Sequence, residues 1–296
     1  MQWRDLALYL RFLGSLRSLG MTWCMCMYGI VLSRHDFRES DQIISILTAE
    51  KGKQEYIARG VKKIVSKNTA HLEPCSLVLF GIAEGKQGIS YLTNVQPVEQ
   101  FFSIRASLSK LHIVGYCLDA LVSTIKDGEE DSDMYFFVLD FLRFLNATEE
   151  VRSLFLDGFF IQLFSRLGYT PILDACVVCK KSYKDIGSEY LRSSQPSVPS
   201  TMSQNAIQHL GFYFAGGGIA CATCLRTKQT IGEQTLLCGL KEINSLAFLL
   251  RSGWNDILTY SLDMEEYGKV HRLIYEFVLY HSEQTWDDWG RLISHD

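Results

Sequence analysis

No apolar run in this sequence is long enough to cross a bilayer. The longest mainly apolar stretch without a charge, Ser18 to Ser33, holds 16 residues between Arg17 and Arg34, short of the roughly 20 that a spanning helix requires. The longer uncharged run from Ser193 to Leu225 is too rich in Ser, Gln and Gly to enter lipid. Asp5, Arg11 and Arg17 interrupt the apolar residues near the N-terminus, so neither a secretory leader nor a membrane anchor is expected. Catalytic signatures are missing too: there is no G-x-S-x-G elbow, no H-E-x-x-H pair and no G-x-G-x-x-G fingerprint. The segment Gly81 to Gln87 falls short of a phosphate loop, with three residues between its glycines and no Ser or Thr after Lys86. His71-Leu72-Glu73 with Pro74-Cys75 is too compressed for a zinc deaminase, and Val78 stands where a second cysteine would be needed. The nine cysteines are odd in number and scattered, a poor disulfide framework, so a reducing compartment, the cytoplasm, is expected.

What is present fits an α+β multidomain protein. A chain of 296 residues, 47% hydrophobic and 21% charged, has material for about two domains with real cores. The net charge of −4 is unevenly spread. Residues 1–28 carry 3 basic and 1 acidic groups, residues 29–105 carry 10 and 8, and residues 106–296 carry 16 and 24, giving +2, +2 and −8. A surface for a polyanion therefore belongs toward the N-terminal half.

Residues 1–27 read as an extension. Leu6, Leu10, Leu13 and Leu16 recur at helical spacing and stop at Gly20. Met21, Met25 and Met27 are alternative starts, and an amphipathic helix for a partner or membrane surface is the other reading. Residues 28–105 are β-rich, with strands predicted over Gly29–Ser33, Asp41–Thr48, Gln54–Arg59, Ser76–Ala83 and Ile89–Val95, the last two joined by a glycine-bearing hairpin. Five short strands at this density predict a five-stranded oligonucleotide-binding (OB-fold) β-barrel. Residues 106–170 and 233–296 make an α-helical domain. Its expected stripes are Leu108, Leu111, Val114, Leu118 and Leu121, then Leu237, Leu240, Ile243, Leu246 and Leu250, with further helices over Asp133–Asn146 and Glu149–Leu167. Residues 171–232, inserted between them, are polar and glycine-rich and include a Ser/Pro-rich loop at 193–201.

That insertion carries the strongest chemical signal, Cys176-Val177-Val178-Cys179 and Cys221-Ala222-Thr223-Cys224. Two residues between paired cysteines let both thiolates reach one ion, and two such pairs complete a closed tetrahedral shell for structural Zn2+. Redox-active thiols are the competing reading. The 41 residues between the pairs exceed a compact ribbon, and the Ser/Pro loop accounts for the excess. Cys24, Cys26, Cys75, Cys117 and Cys238 sit on apolar stretches and read as small core residues. His35, His112, His209, His271 and His281 are scattered singly.

The second signal is basic: Lys51, Lys53, Arg59, Lys62, Lys63 and Lys67, with Glu55 the one acid between residues 51 and 67. On a barrel this stretch would track a phosphate backbone, with Tyr56 and Tyr91 stacking bases. A solvated charged face is the plainer alternative.

These residues resemble the bacterial RecO recombination-repair proteins. The resemblance lies in Glu39-Ser40-Asp41, Thr48-Ala49-Glu50-Lys51-Gly52, Ala58-Arg59-Gly60-Val61-Lys62-Lys63, Ser66-Lys67 and Leu72-Glu73-Pro74. It continues in Gly168-Tyr169-Thr170-Pro171-Ile172-Leu173 and Gly217-Gly218-Ile219-Ala220-Cys221, and spans residues 28–281 in order. It implies a non-enzymatic DNA-repair and recombination mediator that binds single- and double-stranded DNA and anneals complementary strands. Its implied partners are RecR and single-strand-binding protein, with which it loads the recombinase, and its implied place is the nucleoid. The implied DNA contacts are Arg34, Arg38, Arg59, Lys62, Lys63 and Lys67, and the implied metal ligands Cys176, Cys179, Cys221 and Cys224. The family's basic C-terminal run is replaced here by the acidic stretch His281 to Trp289, so the resemblance carries no DNA contact over to the last helix. The alternatives kept beside this reading are a zinc-ribbon transcription or translation factor and a thiol-redox or zinc enzyme.

Overall fold

The computed structural model describes residues 26–62, 71–85, 90–182, 210–227, 235–282 and 284–291. The expected N-terminal helix, the glycine hairpin tip at 86–89 and the Ser/Pro loop lie outside them. The chain divides into two compact units: one runs to Gln100 and also takes in Asp127–Ser132, and the other comprises Phe101–Lys126 and the chain from Asp133 onward.

The first unit is a closed barrel of β1 (Cys26–Asp36), β2 (Gln42–Thr48), β3 (Gly52–Ala58), β4 (Leu77–Glu84) and β5 (Ser90–Glu99), in the order β1-β2-β3-β5-β4. All neighbours are antiparallel except β3 and β5, which close the barrel in parallel at Ile57 and Tyr91. All five predicted strands are present. β1 begins earlier than expected, because Met27 is a core residue and not part of an appendage. Side chains fill the interior, as in other small barrels: Met27, Val31, Ile44, Ile46, Tyr56, Val61, Leu72, Val78 and Phe80 belong to one cluster, with Ile82 and Leu92 packed against it. The β2–β3 turn is held by Thr48, whose Oγ1 accepts the Lys51 N–H at 3.1 Å. Gly52 ends the turn at φ +60°, with the Glu129 carbonyl oxygen in the space that a Cβ would occupy, so glycine is required twice over.

The second unit is helical, with a small sheet. Its helices are α1 (Phe102–Arg105), α2 (Leu108–Thr124), α3 (Ser132–Ala147), α4 (Leu154–Arg166), α5 (Ala222–Thr227), α6 (Leu240–Arg251), α7 (Trp254–Thr259) and α8 (Met264–His281). Every α4 residue from Leu154 to Phe164 is buried, which makes it the central helix. α6, α7 and α8 pack around it.

Two predicted stripes are corrected. Leu108 and Leu111 are exposed, and the inward face of α2 is Ile113, Val114, Cys117, Leu118, Ala120 and Leu121. The second stripe merges two elements: Thr235–Cys238 is strand β8, with Leu237 exposed, and the helix starts only after Gly239. β8 pairs with β6 (Leu210–Tyr213), which pairs with β7 (Gly218–Ala220), and edge pairing outweighs the helical spacing there.

The acidic C-terminal stretch is built into this core. Trp289 is fully buried and stacks on Phe160 at 4.2 Å. Its indole N–H donates to Asp157 Oδ1 at 2.8 Å. His271 is no isolated histidine, since its Nδ1 meets Asp157 Oδ1 and its Nε2 meets Asp288 Oδ1, both at 2.8 Å.

Candidate nucleic-acid interface and metal centre

Strand register sorts the predicted cations into two groups. Asp36, Gln42 and Ala58 align at one end of the β1-β2-β3 face, and Gly29, Thr48 and Gly52 at the other. The two ends are about 20 Å apart along β2. Lys51 and Lys53 belong to the second end, whereas Arg34, Arg38, Arg59 and Lys62 gather toward the first. The stripe expected from residue 51 onward is therefore not one surface. Lys53 is a further correction: it is 8% exposed and its Nζ lies 3.2 Å from Asp127, so its charge is already met within the protein. Lys63 and Lys67 lie outside the described residues.

Tyr56 is also corrected. Alternation along β3 turns Tyr56 and Ala58 inward and leaves Arg59 outside. The Tyr56 ring is 3% exposed and lies edge-on to Phe80 at 5.4 Å, so no base can stack on it. Burial, with a smaller contribution from Glu50, pushes its phenol up to about 12. The hydroxyl is buried without a hydrogen-bond partner among the described residues, so Tyr56→Phe should change the melting free energy by less than about 1 kcal/mol. Tyr56→Ala should cost roughly 3–5 kcal/mol. Thermal melts of the two variants check both values.

At the first end, the Arg34 guanidinium pairs with Glu73 at 2.7 Å and the Lys62 ammonium with Asp36 at 2.7 Å. A hydrogen bond from Gln42, and then one from Lys62, holds the Asp36 carboxyl below its ordinary value. Arg59 lies over the Tyr91 ring, its guanidinium carbon 3.7 Å from the centroid, and Arg38 lies over Phe37 at 4.9 Å. The turn holds these groups together: Gly60 donates its N–H to Asp41 Oδ1 at 2.9 Å, and Lys62 donates its N–H to the Ser40 carbonyl at 3.1 Å.

In the second unit, the four predicted cysteines converge. Their sulfurs all lie within 4.8 Å of one another. The sulfurs of Cys179 and Cys221 are 3.8 Å apart, which is about the edge of a tetrahedron with metal–sulfur bonds of ~2.3 Å. Backbone pairing makes this possible: Val177 donates to the Ile219 carbonyl at 2.8 Å and Ile172 to the Gly217 carbonyl at 2.8 Å, which ties one cysteine turn to β7. Gly218 permits the approach, because a Cβ there would strike the Ile172 carbonyl oxygen. Cys221 precedes α5, and one helical turn brings Cys224 beside it. Burial raises the Cys176 thiol, but N–H donors from Cys179, Cys221 and Val178 more than offset it and bring it to about 7. Burial raises Cys221 and Cys224. A soft four-sulfur set of this size can hold a metal ion, and it leaves no open coordination position. Cys75, Cys117 and Cys238 are buried as expected, Cys26 is half-buried, and Cys24 lies outside the described residues.

Two family models match the chain. Residues 23–101 match the model for the recombination protein O N-terminal region, and residues 105–287 match the model for its C-terminal region. The chain belongs to the recombination protein O (RecO) family. It is 24% identical over 255 residues to the DNA repair protein RecO of Caldanaerobacter subterraneus, covering 86% of this chain and 91% of that one. It is 25% identical over 258 residues to that of Symbiobacterium thermophilum, covering 86% and 91%. With that of Syntrophomonas wolfei it shares 30% identity over 153 residues, 51% of this chain and 60% of the relative. No helix among the described residues is long and apolar enough to cross a membrane.

Two features of this RecO-family barrel escaped sequence reasoning. Phe37 is 44% exposed at a charged hairpin tip, and a lone Phe between Asp36 and Arg38 was the available signal. The acids opposing Arg34 and Lys62 come from distant positions and had no local signal. If this end of the barrel meets a phosphate backbone, Asp36→Asn, which releases Lys62, should tighten that binding roughly two- to fivefold at low salt, with the melting temperature nearly unchanged; fluorescence anisotropy titration reads the affinity.

Proposed function

We propose that this chain is a DNA-repair and recombination mediator that binds single- and double-stranded DNA and anneals complementary strands. In this reading it works with RecR and single-strand-binding protein to load the recombinase, in the cytoplasm at the nucleoid. The observation that carries it is the grouping of Arg34, Arg38, Arg59 and Lys62 at one end of a closed five-stranded barrel in a RecO-family chain. Annealing needs no nucleophile, because pairing supplies the free energy once protein cations offset phosphate repulsion and bring the strands together. Cys176, Cys179, Cys221 and Cys224 would hold Zn2+, which braces the sheet and takes no part in a reaction.

A fluorescence annealing assay on bare strands and on strands coated with single-strand-binding protein tests this directly. Arg38→Glu with Lys62→Glu should weaken binding to both DNA forms at least about tenfold near 0.1 M salt and reduce the salt slope by about 2. Lys51→Glu, at the other end of the barrel, should do little. Unchanged annealing in the first variant removes the barrel end from the model.

A further inference from the structure

We infer that the two arginine–aromatic stacks, Arg59 on Tyr91 and Arg38 on Phe37, are platforms for unpaired nucleobases, and that they let the barrel sort single strands from duplex. The inference rests on the DNA-binding reading above.

The geometry follows from the strands. Ile57 and Tyr91 are partners where β3 and β5 meet. Arg59, two residues beyond Ile57 on the same outward face, therefore comes over the Tyr91 ring. Tyr91 does not offer its own face to a base as the sequence suggested, because the guanidinium covers it. The outermost layer is Arg59, which is exposed, and Arg38 and Phe37 are exposed beside it. The hydrogen bonds from Gly60 to Asp41 and from Lys62 to Ser40 tie the chain after Arg59 to the turn after Arg38. Both stacks thus belong to one surface, with the Lys62–Asp36 ion pair beside them.

A bare phosphate needs only charge, and a lysine would serve it as well. A guanidinium supported on a ring adds a flat, weakly hydrated plane whose orientation is already restricted, which suits stacking on a base. In a duplex each base has both faces covered by its neighbours, so only an unpaired base can take up that plane. A base held by its face keeps its Watson–Crick edge open to a complementary strand, as annealing requires.

The test compares a poly-dT oligonucleotide with a duplex of equal length, across a salt series, on the full chain. Arg38→Lys with Arg59→Lys retains both charges. It should weaken poly-dT binding about tenfold or more, with duplex affinity held within about twofold and the salt slope unchanged. Tyr91→Leu, which removes the support under Arg59, should shift the same preference in the same direction. Equal losses on both DNA forms would make the arginines simple cations and overturn the inference, as would unchanged poly-dT binding. If Arg38→Glu with Lys62→Glu weakens both forms while the lysine variants change neither, this inference fails and the DNA-binding reading stands. If the unaltered protein binds neither form, both fall.

Discussion

Replacing His271 with alanine is expected to destabilise the helical unit by about 3–5 kcal/mol, the cost of stripping a partner from a buried charge. Asp157 has no exposed surface, and its Oδ1 is met by the His271 ring and the Trp289 indole. Asp288 meets the other imidazole nitrogen, so one side chain joins the central helix to the C-terminal stretch. Burial disfavours the imidazolium, but the hydrogen bonds and charges of Asp157 and Asp288 outweigh it and raise His271 from 6.5 to about 9.

Because the folded-state value lies above the unfolded one, the native state binds the extra proton. The stabilisation is complete below pH 6.5, declines at up to about 1.4 kcal/mol per pH unit above it, and is gone once pH passes about 9. Urea titrations followed by tryptophan fluorescence at pH 6, 7.5 and 9.5 should show the unaltered protein losing stability across this window. His271→Ala should be weaker at pH 6 and flatter with pH. An equal slope in both proteins would mean that the imidazole enters the fold uncharged.

Cys221→Ser is expected to have an effect of similar size, read as lost metal together with lost structure. Structural zinc sites contribute on the order of 10–16 kcal/mol in isolated finger peptides, and in this unit packing of the sheet shares the load. Cys221 sits between β7 and α5, its sulfur is 3.8 Å from that of Cys179, and its backbone N–H donates to the Cys176 sulfur at 3.4 Å. Metal analysis should give one zinc per chain in the unaltered protein and clearly less in the variant. A strong chelator should lower the melting temperature of the former more than that of the latter. Fast reaction of all four thiols with a disulfide reagent, with no metal bound, would favour the redox alternative.

The cysteine pairs and the barrel were legible in the sequence because each depends on local rules. A two-residue gap is enough for two sulfurs to reach one ion, and short alternating strands with turn residues announce themselves. The helical stripes were legible except at their starts: Val114, Leu118 and Leu121 face inward as expected, but nothing in the sequence says that Leu108 and Leu111 will be left uncovered. Gly239 separates β8 from α6, yet Thr235–Cys238 becomes a strand only because β6 offers an edge.

The site divides along the same line. Charge balance pointed to the N-terminal half for a polyanion surface, and cysteine spacing placed the thiolates in the insertion. Register and burial then decided their roles, since strand alternation sends Tyr56 into the core and leaves Arg59 outside, and closure of the barrel brings Tyr91 beneath that arginine. Lys53 loses its place on the surface to Asp127, 74 residues away. Asp157, His271 and Asp288 lie so far apart in the chain that only packing could join them. Local chemistry is written in neighbouring residues, whereas the pairing of distant charges depends on burial that arises once the chain has folded.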